Sequence, residues 1–258
     1  MAESGQTTKE HFEDLMAQGV ALNNQGMIAE ALDRGAEAWY FAQSTGLPDT
    51  DLGRAARDIG HRSRLLEGAS NPYARSEGRE ELSAVTWLRR AMELHAGAKG
   101  RGEIGAEREY RASVGEWGTL CTLWALRREE TERTLDQAAV QDAGAELGHA
   151  AEGPTTQYRV NFIGRYAIHE ALYAPKNVDT PKTIRTAWKL AFRSESPRLT
   201  ASTPNLGVKP RIRAKGVALG RALVATAIRH ITPEVHSTGE GMNTRRRAVA
   251  RQLARKVL

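Results

Sequence analysis

The sequence predicts an all-α protein, on three observations. Apolar residues recur at steps of three and four almost continuously from Lys9 to about Ala150. Nothing in that region alternates β-branched and polar residues with the period of two that a half-buried strand requires. Beyond residue 152, proline-containing and polar segments such as APKNVDTPK and SESPRLTASTPNLGVKP separate short amphipathic runs, as loops separate helices. The expected architecture is about nine or ten helices, with antiparallel helix pairs over 1–152 followed by a smaller basic helical region over 153–258.

The first pair is HFEDLMAQGVALNNQGMIAEALDRGAEAWYFAQ, two helices meeting at Asn24–Gly26. One helix carries Phe12, Leu15, Met16, Gly19 and Leu22 along a single face. The other carries Ile28, Ala31, Leu32, Ala38 and Trp39. Small residues at Gly19 and Ala31 let two helices approach closely while larger neighbours fill the gaps.

This stretch resembles a tetratricopeptide repeat, a helix–turn–helix unit that stacks into a solenoid. The family's early large residue falls on Leu15, its small contact residues on Gly19 and Ala31, and its next apolar position on Leu22. The turn glycine is Gly26, followed by apolar Ile28, and a later alanine falls on Ala38. Two positions depart. The bulky residue usual between the second small residue and the later alanine falls on Gly35, and the closing proline falls on Gln43, with Pro48 slightly beyond. The resemblance covers residues 12–40 and implies binding of a protein partner.

RAARDIGHRSRLLEG with REELSAVTWLRRAMELHAG suggests a second pair, Gly60 taking the small position. YRASVGEWGTLCTLWALRRE with ETERTLDQAAVQDAGAELGHA suggests a third, with Gly115. The intervals between these glycines are 41 and 55 residues, against about 34 in a regular array. The pairs must therefore have lengthened helices or loops, and an ordinary helical bundle with small residues at its contacts predicts the same pattern. Between the second and third pairs, Gly100, Gly102 and Gly105 spell G-x-G-x-x-G. A dinucleotide site needs a strand before that motif, whereas LRRAMELHAGAK reads as a helix. The glycines are expected to join helices, and no cofactor is expected.

The net charge of +6 conceals a division. Residues 1–150 sum to −8 and residues 151–258 to +14. Acidic side chains are expected mostly on solvated N-terminal helix faces. In the basic half, a helix over 180–192 would open with Pro181 at its first position and set Lys182, Arg185, Lys189 and Arg193 along one face. KPRIRAKG adds Arg211, Arg213 and Lys215, leading into a helix over 211–231. A last helix over 244–258 would lay Val249, Leu253 and Val257 on the core and Arg247, Arg251 and Arg255 opposite, with Arg245 and Arg246 near its start. Such stripes suit phosphate contacts, because neutralising a polyanion releases counterions without any base reading. These twelve residues are the candidate nucleic-acid surface. The same charge could instead pair with the acidic half, within one molecule or between copies in a homo-oligomer, or could lie on an anionic membrane surface.

Chemistry is harder to find. Cys121 sits in apolar TLCTLWAL and is expected to be buried. A single cysteine excludes internal disulfides and multi-cysteine zinc sites. His230, Glu234 and His236 lie close in sequence, but Pro233 breaks the helix that would align them. STGEGMNTRRR offers glycines before an arginine-rich helix start, without a preceding strand or a P-loop ending. His169 and Glu170 are adjacent and so point about 100° apart on a helix. YRVNFIGRYAIHEALY, which holds them, reads as a helix or as a short strand followed by one. GVALG, Gly216 to Gly220, has the spacing of a tight helix contact. No apolar run reaches the roughly 18 residues of a membrane span, and MAESGQTTKEHFEDL lacks the apolar core of a secretory signal. The expectation is a cytoplasmic, non-enzymatic scaffold that holds a protein segment on its helix pairs and DNA, RNA or another polyanion on its basic helices. The alternative is an assembly protein whose acidic and basic halves pair between copies.

Overall fold

The computed structural model describes residues 2–73, 83–152, 157–174, 208–231 and 240–258, with side chains over 7–73, 83–152, 161–174, 219–231 and 244–258. The described residues are all-helical and hold no strand. They form two compact units, Met1–Arg127 and Arg128–Leu258. The compositional boundary at 152/153 falls inside the second unit.

The first unit contains α1 (Ala2–Gln25), α2 (Ile28–Thr45), α3 (Asp49–Glu67), α4 (Ala84–Gly100) and most of α5 (Ala106–Thr131). The turn predicted at Asn24–Gly26 forms as expected. Gly26 has a φ of +83°, a left-handed conformation that stops a helix and that side chains disfavour. The next amide, Met27 N–H, donates back to Leu22 O at 3.1 Å. α1 packs on α2, α2 on α3 and α3 on α4, so adjacent helices form hairpins. Phe12, Leu15 and Met16 of α1 meet Leu32, Ala38 and Trp39 of α2 in a core that Ala55, Ala56 and Ile59 of α3 and Trp87 of α4 extend.

Glycines set how closely these helices approach. A Cβ on Gly60 would stand 2.8 Å from Leu88 Cγ and 3.0 Å from the Leu88 backbone nitrogen, so α3 and α4 meet there almost backbone to backbone. Gly19 and Gly35 both face the Arg62 guanidinium, which a Cβ would approach within 2.7 and 2.8 Å. The departure at Gly35 therefore has a physical reason: Arg62, arriving from α3, occupies the space that a bulky residue on α2 would fill.

The second unit contains the end of α5, then α6 (Gln137–Ala151), α7 (Gln157–Tyr173), α8 (Val208–Ile231) and α9 (Glu240–Val257). α7 is helical throughout its described length, which resolves the helix-or-strand alternative. Asp136 caps α6 by accepting the Ala139 N–H. α6 packs on α7, α7 on α8 and α8 on α9, around Leu147, Phe162, Ile168 and Ile228. The close approach between α7 and α8 is at Gly164, where a Cβ would stand 2.8 Å from Arg221 Cβ. Gly220, expected to mark such a contact, faces nothing within 4 Å.

Gly60→Ala is expected to cost about 1–3 kcal/mol, because the added methyl must push Leu88 and its backbone aside. Gly100→Ala, at the end of α4 with nothing within 4 Å, is expected to be neutral or slightly stabilising. Urea denaturation of the two variants, run together, checks the contrast.

Candidate functional site

α3 carries Arg54, Arg57, His61 and Arg64 at steps of three, four and three, hence along one face. That face ties α1 and α5 to α3. Arg54 donates to both carboxylate oxygens of Glu13 on α1, at 2.6 and 2.9 Å, and Lys9 pairs with Asp51. On the other side Arg57 donates to Glu109 of α5 at 2.6 Å, and both side chains are buried. Arg64 donates to Glu116 at 3.2 Å, and His61 Nδ1 lies 3.1 Å from the same oxygen. Meanwhile Trp39 of α2 and Trp87 of α4 meet edge to face at 5.1 Å. Arg90 lies over both rings, at 5.4 and 4.9 Å from their centroids. Direct side-chain contacts thus link α1, α3 and α5 in one row and α2 with α4 in another.

Acidic side chains are expected mostly on solvated faces, and two on α5 are exceptions. Glu109 is 1% exposed and Glu116 8%. The missed signal was the charge register: Glu109 and Glu116 are seven residues apart, matching Arg57 and Arg64, also seven apart. Burial alone would raise the Glu109 carboxyl, but Arg57, with Arg108 and Arg54, outweighs it and holds it at about 2. Arg54 lowers Glu13 in the same sense.

His95 is wholly buried beside this network. Its Nε2 lies 3.1 Å from Thr50 O and its Nδ1 2.9 Å from Ser113 Oγ. The carbonyl can only accept, so Nε2 carries the proton and Nδ1 accepts from the serine. Burial, then Arg57, lowers His95 to about 4. A serine beside a histidine resembles an activated nucleophile, but both residues are 0% exposed. The pair is a structural tie between α3, α4 and α5.

The other chemical candidates are placed as follows. Cys121 is buried, as expected. Gly100, Gly102 and Gly105 follow a helix and lead into α5, with Gly102 and Gly105 at φ of +72° and +82°; the motif is a helix–helix connection. Glu234 and His236 lie outside the described residues. Among those described, no three His, Cys, Asp or Glu side chains cluster as metal ligands. His169 is buried on α7, and burial lowers it to about 4.

Of the candidate nucleic-acid residues, Lys182, Arg185, Lys189 and Arg193 lie outside the described residues, as does the predicted helix over 180–192. Arg211, Arg213 and Lys215 fall in the first turns of α8, where only the backbone is described. The remaining five are on α9, and the structure turns that helix relative to the expected orientation. Ala250 and Ala254, not Val249, are fully buried. Val249 is 43% exposed, and Leu253 and Val257 are half-buried. The small alanines let α9 approach its neighbours, which brings Arg251 onto Glu129 and Arg255 to 2.6 Å from Glu130, both at the end of α5. Arg245 and Arg246 are exposed, and Arg247 is half-buried.

No protein-family model, curated protein or solved structure matches the chain.

The buried groups fix the acid response. His95 and His169 refuse protons in the fold that the unfolded chain accepts below about 6.5. Stability should therefore fall as pH drops from 6.5 through 4, by up to about 1.4 kcal/mol per pH unit for each histidine. Glu109 acts in a lower window: its contribution is present above 4.5 and is lost as pH falls from 4.5 to about 2. Glu109→Gln leaves Arg57 buried beside a neutral group and is expected to cost about 3–5 kcal/mol at pH 7. That deficit should shrink below pH 4.5. Thermal melts of wild type and variant between pH 7 and 3 measure both effects.

Proposed function

We propose that the protein is a non-enzymatic helical scaffold. Its tetratricopeptide-like first unit holds a protein segment, and its basic C-terminal helices contact nucleic acid or another polyanion. The observation that supports the reading most directly is the row of α1, α3 and α5 joined by Glu13–Arg54, Arg57–Glu109 and Arg64–Glu116. Stacked helical hairpins bring every second helix into one row in this way, and such a row is where repeat proteins receive extended segments. Val20, seven residues from Glu13 on α1, and Leu65, four from His61 on α3, lie on the linked faces and are 45% and 44% exposed. They would supply apolar contact for a bound segment.

The polyanion half of the reading rests on the charge of +14 over residues 151–258 and on the exposed arginines of α9. Titration of the intact protein with duplex DNA, duplex RNA and heparin across salt tests it. The expected outcome is binding to one nucleic acid above heparin, with log K falling linearly against log salt. The assembly alternative predicts no retention of nucleic acid and self-association that weakens with salt, which size measurement at two ionic strengths detects.

A further inference from the structure

We propose that α9 divides its basic residues by whether a carboxylate already holds them, with Arg245, Arg246 and Lys256 meeting the phosphate backbone of duplex nucleic acid and Arg251 and Arg255 instead fastening the helix to its own unit. This inference rests on the polyanion reading and changes which residues carry it.

The division follows from placement. The inner side of α9 is Ala250 and Ala254, both 0% exposed, with half-buried Arg251 flanking them. The Arg251 side chain is only 14% exposed and sits on Glu129. Arg255 reaches Glu130 at 2.6 Å, so the two arginines of the predicted stripe that lie nearest the chain end already have carboxylates from α5. A cation held by its own protein's carboxylate gives little to a phosphate, because the new pair forms only as the old one breaks.

Arg255 is itself exposed, so its pairing with Glu130 rather than its burial sets it apart from the row on the outer side. Arg245, Val249, Gln252 and Lys256 follow at steps of four, three and four, and all four are exposed, as is Arg246. After Glu240 at its first position, α9 has no Asp or Glu in its sequence. At about 1.5 Å per residue, Arg245 and Lys256 stand roughly 16 Å apart. That length matches about five phosphates along one strand at 3.4 Å of axis each. Gln252, between the cations, can donate to a phosphate or sugar oxygen. A helix lying on a membrane needs a broad apolar face, and this row has Val249 alone. Charge complementarity therefore favours nucleic acid as the occupant.

The test uses the full chain and a 20-base-pair duplex DNA, with binding measured by fluorescence anisotropy over a salt series. Arg245→Ala/Arg246→Ala/Lys256→Ala, all at exposed positions, should leave the Tm unchanged. It should reduce the magnitude of the salt slope by about 0.9 for each cation lost. Arg251→Gln/Arg255→Gln should lower the Tm and leave the slope as in wild type. Glu129→Gln/Glu130→Gln, which keeps every arginine, should lower the Tm in the same way with duplex affinity retained. If the outer variant keeps the wild-type slope while Arg251→Gln/Arg255→Gln loses it, the division is wrong although the polyanion reading stands. If wild type binds no duplex at low salt, or binds anionic vesicles instead, the nucleic-acid reading fails and the division with it.

Discussion

Three buried guanidinium groups on one helix constrain the first unit more than any apolar contact. Arg57, Arg62 and Arg64 are 5%, 2% and 3% exposed, and a buried charge costs several kcal/mol unless a partner sits at the right place. Each arginine therefore dictates something elsewhere. Arg57 requires Glu109 and Arg64 requires Glu116, which fixes both the rotation of α5 and its shift along α3. Arg62 donates to Ala31 O at 2.7 Å and to Asp58 at 2.9 Å, so it reaches into the α1–α2 hairpin itself. A slip of α5 by one turn would strand two carboxylates and two guanidinium groups at once. Apolar packing, which tolerates small adjustments, would not enforce a register so strictly.

The glycines are the counterpart of these large side chains. Gly19 and Gly35 admit Arg62, Gly53 admits the His95 ring at 2.4 Å from an added Cβ, Gly60 admits Leu88, and Gly164 admits Arg221. In each case a large group on one helix fills the space left by a missing side chain on the next. The helices can thus lie close without a purely aliphatic interface, and in a chain with a mean hydropathy of −0.51 the first unit still buries a cluster of apolar side chains. The buried His95 beside that cluster is satisfied locally, by Thr50 and Ser113.

This pattern explains what could be read from the sequence and what could not. Phe12, Leu15, Met16, Ala31, Ala38 and Trp39 were legible because helical periodicity and apolar character agree at those positions. The turn at Gly26 was legible because the residue type and its place between two periodic runs agree as well. Arg57, Arg62 and Arg64 were not, since a charged residue on a helix ordinarily marks the solvated side. Only a comparison of spacing between two distant helices, Arg57 and Arg64 against Glu109 and Glu116, would have exposed the pairing. On α9 two apolar rows compete, Val249–Leu253–Val257 and Ala250–Ala254, and periodicity finds both. Hydrophobicity favours the first. The choice fell to the second because alanines permit a close approach and because Arg251 on that side finds Glu129.

The charge division of the sequence takes a different meaning once the compact units are drawn. Counted by unit, residues 1–127 carry −4 (15 Lys and Arg, 19 Asp and Glu) and residues 128–258 carry +10 (22 and 12). Four of the acidic residues regrouped into the second unit are Glu129, Glu130, Glu132 and Asp136, and the structure uses all four. Glu132 and Asp136 hold Arg128, while Glu129 and Glu130 hold Arg251 and Arg255. The acidic end of α5 is thus a built-in counterion for one part of the basic region, and it stabilises the docking of α9 rather than repelling a distant partner. Charge left over after such pairing, not the total, determines what a surface offers to a polyanion. On α9 that remainder is concentrated at the exposed Arg245, Arg246 and Lys256, towards the two ends of the helix, where long-range attraction acts across solvent without first breaking an internal pair.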